Sequence, residues 1–121
     1  ATGIYKEFNA SAHWAMFRLV AEFCRERIER DSQLPSDKRW LHKDIDFSGV
    51  PNVQIERLNV LAEEYGRLFF SRPLGPEERK LLTDLLSEEI SLNGNSAQAL
   101  KPMLLELCLT VGTSPGFFVR Y

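Results

Sequence analysis

The sequence predicts an all-α fold: a small bundle of four main helices, a long ordered loop after the first helix, and a short turn at the C-terminus. Three observations predict it. Apolar residues recur at three- and four-residue spacing in four separate stretches. Proline, glycine and asparagine clusters, which break helices, part those stretches. No segment alternates apolar and polar residues long enough for a strand.

Residues 1 to 9 read as a short, mixed lead-in arm. The first helix is expected from about Ser11 to Asp31, with Asn9 or Ser11 as its N-cap. Trp14, Phe17, Val20, Cys24 and Ile28 form its inner stripe, widened by Leu19 and Phe23. Arg18/Glu22, Arg25/Glu29 and Glu26/Arg30 stand four apart on the outer face, each pair contributing about 0.3 kcal/mol. Residues 32 to 51 hold Pro35, Gly49 and Pro51 and form the long loop. A loop of that length in a small domain is either functional or held down by its own side chains, and Trp40, Leu41, Ile45, Phe47 and Val50 give it material to pack.

The second helix is expected from about Asn52 to Phe70, with Val53, Ile55, Leu58, Leu61, Tyr65, Leu68 and Phe69 on one face. Gly66 inside it costs about 1 kcal/mol against alanine and suggests close approach by another helix. Pro73 ends it. Gly75-Pro76-Glu77-Glu78 opens the third: proline loses no hydrogen bond in a first turn, and glutamates suit the positive end of the dipole. Leu81, Leu82, Leu85, Leu86 and Ile90 form its stripe, and Asn93-Gly94-Asn95 stops it. The fourth helix starts at Ala97 or Lys101, is almost wholly apolar from Met103 to Val111, and has Gly112 as its C-cap. Ser114 and Pro115 then open the terminal turn with Phe117, Phe118 and Tyr121.

With 121 residues, 44% apolar and 26% charged, the chain supports one domain spanning residues 1–121 and one core. Its two ends look like the limits of an excised segment. A net charge of −2 gives no global field toward nucleic acid or an anionic membrane. No apolar run is long enough for a membrane span, and no signal peptide is visible.

Chemistry-bearing constellations are sparse. There is no nucleophile elbow, no glycine-rich phosphate loop, no cysteine with a local histidine and no cofactor motif, so a non-enzyme is favoured. His42, Asp44 and Asp46 alternate in one loop and form the candidate metal-ligand set, although the spacing fits no standard zinc pattern. Arg25, Arg27, Arg30, Lys38, Arg39 and Lys43, with Trp40 among them, form a candidate anion or nucleic-acid surface. Interspersed acids dilute it, and nucleic acid is the weaker expectation. Cys24 and Cys108 sit among apolar residues in different helices. They read as buried thiols acting as small hydrophobes, or else as a disulfide joining first helix to last, which would imply an oxidising compartment.

"LFFSRPLGPEERKLL" and "LKPMLLELCLTVGTSPGFFVRY" together resemble a pattern in large secreted bacterial proteins, abundant in planctomycetes, that combine cytochrome c-type modules with helical domains of unknown function. Arg72, Pro73 and Leu74 match that pattern's first phrase; Ser114, Pro115, Phe117, Phe118 and Arg120 match its second. The resemblance covers residues 62 to 121 and implies an extracytoplasmic, electron-transfer-linked setting, periplasmic or extracellular; without it a cytoplasmic setting is the default. The haem motif CxxCH is absent, so haem binding is not carried over and no cofactor is expected. The expected function is a non-catalytic interaction or accessory domain that meets a protein partner or neighbouring domain. Trp40, Phe47, Phe117, Phe118 and Tyr121 are its candidate contact residues.

Overall fold

The computed structural model describes the backbone of residues 2–113 and the side chains of residues 14–113. Four α-helices make up the fold: α1 (Thr2–Ser32), α2 (Ile55–Phe70), α3 (Pro76–Asn93) and α4 (Ala97–Thr113). Single 3-10 turns at Ser36–Lys38 and Pro51–Gln54 punctuate the loop between α1 and α2. The expected terminal turn lies outside the described residues.

α4 is the central helix and touches the other three. Leu100, Met103, Leu104, Leu107, Cys108 and Val111 are all buried, at the three- and four-residue spacing that lines one wide face. α1 runs antiparallel to it. Lys101 pairs with Glu29, the sulfurs of Cys24 and Cys108 are bonded, and Gly112 lies against Val20. The disulfide sits within the core, closing a separation of 84 residues. Leu58, Leu61 and Tyr65 from α2 and Leu82 and Leu86 from α3 complete one continuous apolar cluster.

The structure corrects several boundaries. The arm expected at residues 1 to 9 is helical from Thr2. Asn9 and Ser11 are good caps, but no proline or glycine after Gly3 stops the helix from continuing through them. α2 begins at Ile55 rather than Asn52, because Pro51–Gln54 winds more tightly first. Gly112 is no C-cap and lies inside α4; a Cβ there would sit 2.5 Å from Val20 Cγ1, so the missing side chain lets α4 approach α1. Gly66 is crowded by Leu74 of the following connection, not by another helix.

The stripes also narrow. Trp14, Phe17, Leu19, Val53, Leu68 and Leu81, all assigned to inner faces by periodicity, are exposed. Periodicity identifies a face, but the length of the opposing element decides how much of that face is covered.

The connection "RPLGPEER" is a staple between helices. Both guanidinium amines of Arg72 reach the Glu78 carboxylate at 3.1 Å, and the same carboxylate accepts the Gly75 N–H at 2.7 Å. Glu63 of α2 accepts the Leu74 N–H and an N–H from Arg79. Leu74 and Arg79 are thereby joined to α2 through Glu63, while Glu78 pairs the Gly75 N–H that the start of the helix would otherwise leave unpaired.

Candidate functional site

α1 carries its buried stripe through Val20, Cys24 and Ile28 to Asp31, the second-last residue of the helix. A carboxylate at that end is disfavoured by the helix dipole and by burial. It persists because the loop supplies donors. Asp31 Oδ1 accepts the Trp40 N–H at 3.3 Å, and Oδ2 accepts the Leu41 and His42 N–H groups at 3.2 and 3.3 Å. Arg27, one turn earlier, donates to Oδ1 at 3.1 Å.

The ring of His42 completes the network. Its Nδ1 lies 2.7 Å from Asp31 Oδ2, and its Nε2 lies 2.6 Å from the hydroxyl of Tyr65 on α2. Burial lowers the His42 pKa, opposed by Asp31 and reinforced by the Arg27 and Arg39 charges. The imidazole is therefore neutral at pH 7. With an ionised Asp31, Nδ1–H donates to the carboxylate and Nε2 accepts from the Tyr65 hydroxyl. Burial alone would raise the Asp31 pKa, but the hydrogen bonds from His42, Leu41 and Trp40 hold it at about 2. Burial, then the Asp31 and Glu64 charges, push the Tyr65 phenol well above its usual range.

Tyr65–His42–Asp31 has the order of a nucleophile, its base and the group that orients the base. Chemistry also needs a path for substrate, and all three side chains are closed to solvent. The triad is a clasp. It fastens the loop to α1 at one end and to α2 at the other, with the polar side-chain atoms of Asp31, His42 and Tyr65 all hydrogen-bonded.

The expected metal-ligand set is thereby taken apart. Both His42 nitrogens are engaged with Asp31 and Tyr65, while Asp44 and Asp46 are exposed. Asp46 is used locally, accepting the Ser48 N–H and hydroxyl, and its backbone is bracketed by the buried Gln54 amide. No group of three or more His, Cys, Asp or Glu side chains converges as a metal cage among the described residues.

The basic region is partly consumed in the same way. Arg27 pairs with Asp31 and lies over the Trp40 ring at 5.3 Å. Arg30 pairs with Glu26. Arg39 donates to the carbonyls of Leu34, His42 and Ile45 and stacks on Phe47. Phe47 is half-buried and packs edge-on to His42, so it helps close the loop.

Trp40 is different. Its backbone N–H is tied to Asp31, the Phe23 ring meets it edge-on at 5.9 Å, and Arg27 covers it, yet the residue remains 53% exposed. Beside it runs an open concavity of about 550 Å³ between the loop and α2, lined by Trp40, Leu41, Lys43, Asp44, Glu64 and Arg67. Burial and the neighbouring Asp44 raise the pKa of Glu64 in this groove. Phe117, Phe118 and Tyr121 lie outside the described residues.

Sequence reasoning missed the clasp because its members are eleven and twenty-three residues apart. One signal was available. Asp31 falls three positions after Ile28 on the inner stripe, and Tyr65 falls on the inner stripe of α2, so each is a polar group placed where its helix turns inward. The chain matches no protein-family model, no curated protein and no solved structure.

Proposed function

We propose that the chain is a non-catalytic interaction domain, and that its partner-facing surface is the clamped loop with Trp40 and the adjoining groove. The observation that carries this reading is a half-exposed tryptophan on a loop whose backbone is fastened to a buried carboxylate. Aromatic side chains supply much of the energy of protein interfaces, and an ordered loop loses little further entropy on binding. The partner is another protein or a neighbouring domain. The groove carries cations Lys43 and Arg67 beside anions Asp44 and Glu64, which suits polar peptide surfaces more than a polyanion.

The resemblance in residues 62 to 121 supports placing that partner in an extracytoplasmic, electron-transfer-linked assembly. The disulfide supports an oxidising compartment in the same proposal.

The test is selection of displayed peptides against the native domain, with counter-selection against Trp40→Ala. We expect enriched peptides whose binding falls at least tenfold in the variant while its circular dichroism is unchanged. Failure to enrich any peptide that discriminates the two proteins would overturn this surface as the contact site.

A further inference from the structure

One stretch of α1 bears both the disulfide and the groups that fix the Trp40 end of the loop. Cys24, Arg27 and Asp31 follow one another at three- and four-residue spacing on one side of the helix, with Phe23 beside them. Cys24 is bonded to Cys108 of α4. Phe23 meets the Trp40 ring edge-on, Arg27 lies over that ring, and Asp31 accepts the N–H groups of Trp40, Leu41 and His42. From the other side, α2 supplies the Tyr65–His42 hydrogen bond. Any movement of α1 away from α4 therefore takes the Trp40 end of the loop's support with it.

α1 is held by little apolar surface apart from the cystine. Among the described residues its other buried apolar side chains are Val20 and Ile28. The Lys101–Glu29 pair is exposed and contributes little. α1 also stands on the longest connection: residues 33–54 separate it from α2, whereas residues 71–75 and 94–96 join the later helices. A cross-link over 84 positions removes much of the freedom that this connection leaves to an unbonded α1. Asp31 then makes seating all-or-none. With α1 docked, its buried carboxylate is satisfied by Arg27, His42 and the loop N–H groups. With α1 lifted, water satisfies it, and the loop loses those anchors together.

We propose that the Cys24–Cys108 bond is an oxidation-set latch for the loop: joining the two sulfurs seats α1, and only then does Asp31 hold residues 40–42 in place. In the reduced chain, α1 and the loop loosen ahead of the α2–α4 core. Bond formation takes two electrons and two protons from the two thiols; a disulfide-bearing oxidant accepts them by exchange through a mixed disulfide and leaves as a dithiol. Both sulfurs are then closed to solvent, so a reductant reaches them only when α1 lifts. For the Trp40 surface, on the interaction reading given above, oxidation becomes a precondition of partner binding. The latch itself concerns the order of the loop and is tested without a partner.

The test compares amide hydrogen exchange in the oxidised chain and in the same chain reduced in urea and refolded with a phosphine present. Thiol titration under denaturing conditions confirms the redox state of each. Reduction should raise exchange at residues 20–31 and 40–42 about tenfold more than at residues 82–86 and 104–107. Unchanged protection at residues 40–42 would overturn the proposal, because the clasp would then stand without the bond. So would an equal rise through all four helices, which would make the bond a stabiliser of the whole bundle and no latch.

A second measurement leaves both cysteines intact. A bond that favours the clasp must be favoured by the clasp to the same extent. In a buffer of reduced and oxidised glutathione, Asp31→Asn should move the thiol–disulfide equilibrium toward the thiols by about fivefold or more. Glu78→Gln, at the start of α3, should leave that equilibrium where it is. Equal shifts in the two variants, or no shift with Asp31→Asn, would sink the proposal.

Discussion

Two charged clasps hold this bundle together, and they differ in what surrounds them. The one at the long loop joins Asp31, His42 and Tyr65, all closed to solvent. The one at the short connection joins Arg72 to Glu78 and Arg79 to Glu63, with the arginines largely or partly exposed. Both use a carboxylate to collect backbone N–H groups. In the first, water cannot replace a lost partner, so each missing hydrogen bond leaves a buried polar group unpaired. In the second, the Glu78 carboxylate is buried too, but its arginine partner and the Arg79–Glu63 pair are partly exposed, so those arginines can be re-solvated. The same chemical device is thus structural in one place and a trim in the other, and the division follows burial rather than the number of bonds.

Removing the carboxylate breaks the buried clasp most completely. Asp31→Ala should cost about 4 kcal/mol, because it strands Arg27, the His42 ring and the N–H groups of Trp40, Leu41 and His42. Urea denaturation checks the loss, and hydrogen exchange at residues 40–42 should rise with it. A smaller result, near that of the Arg72–Glu78 clasp, would show that water enters the loop after all.

Acid should open the same clasp without mutation. The Asp31 pKa is lowered from 3.8 to about 2. A carboxylate depressed in the folded state contributes stability above its unfolded pKa, and that contribution disappears as pH falls from about 4 through 2, on the order of 2 kcal/mol. The His42 pKa is lowered too, so the unfolded chain takes up a proton before the folded one does, and stability starts to decline below about 6.5. Thermal melts between pH 7 and 2 should show both declines, and Asp31→Asn should remove the one between 4 and 2.

The clasp with the partly exposed arginines should yield the smallest effect. Glu78→Ala removes the acceptor of the Gly75 N–H at the start of α3 and should cost about 1 kcal/mol, as lost helix caps do. Raised salt should leave that cost almost unchanged, since a cap bond depends less on screening than an exposed ion pair.

Much of the fold was readable before any coordinates, and the parts that were not share a cause. The third helix starts at Pro76 as its own residues dictate, because proline and two glutamates encode a first turn locally. The fourth helix shows its core face plainly through Met103, Leu104, Leu107, Cys108 and Val111. The start of α1 was misplaced because a capping residue marks a beginning only where something prevents the helix from running through it. His42 was set beside Asp44 and Asp46 by its spacing, yet its partners lie on two helices, one before and one after the loop.

The sequence by itself determined the helical class, the breaks between helices and most of each inner face, because turn chemistry and periodicity act over a few residues. Only the tertiary structure decided that His42 belongs to a loop fastening, that the two cysteines meet, and that Trp14 and Phe17 are exposed. Those outcomes depend on which elements lie opposite one another and on how far each extends. Pairing and length are settled by packing across the whole chain, and no local spacing records them.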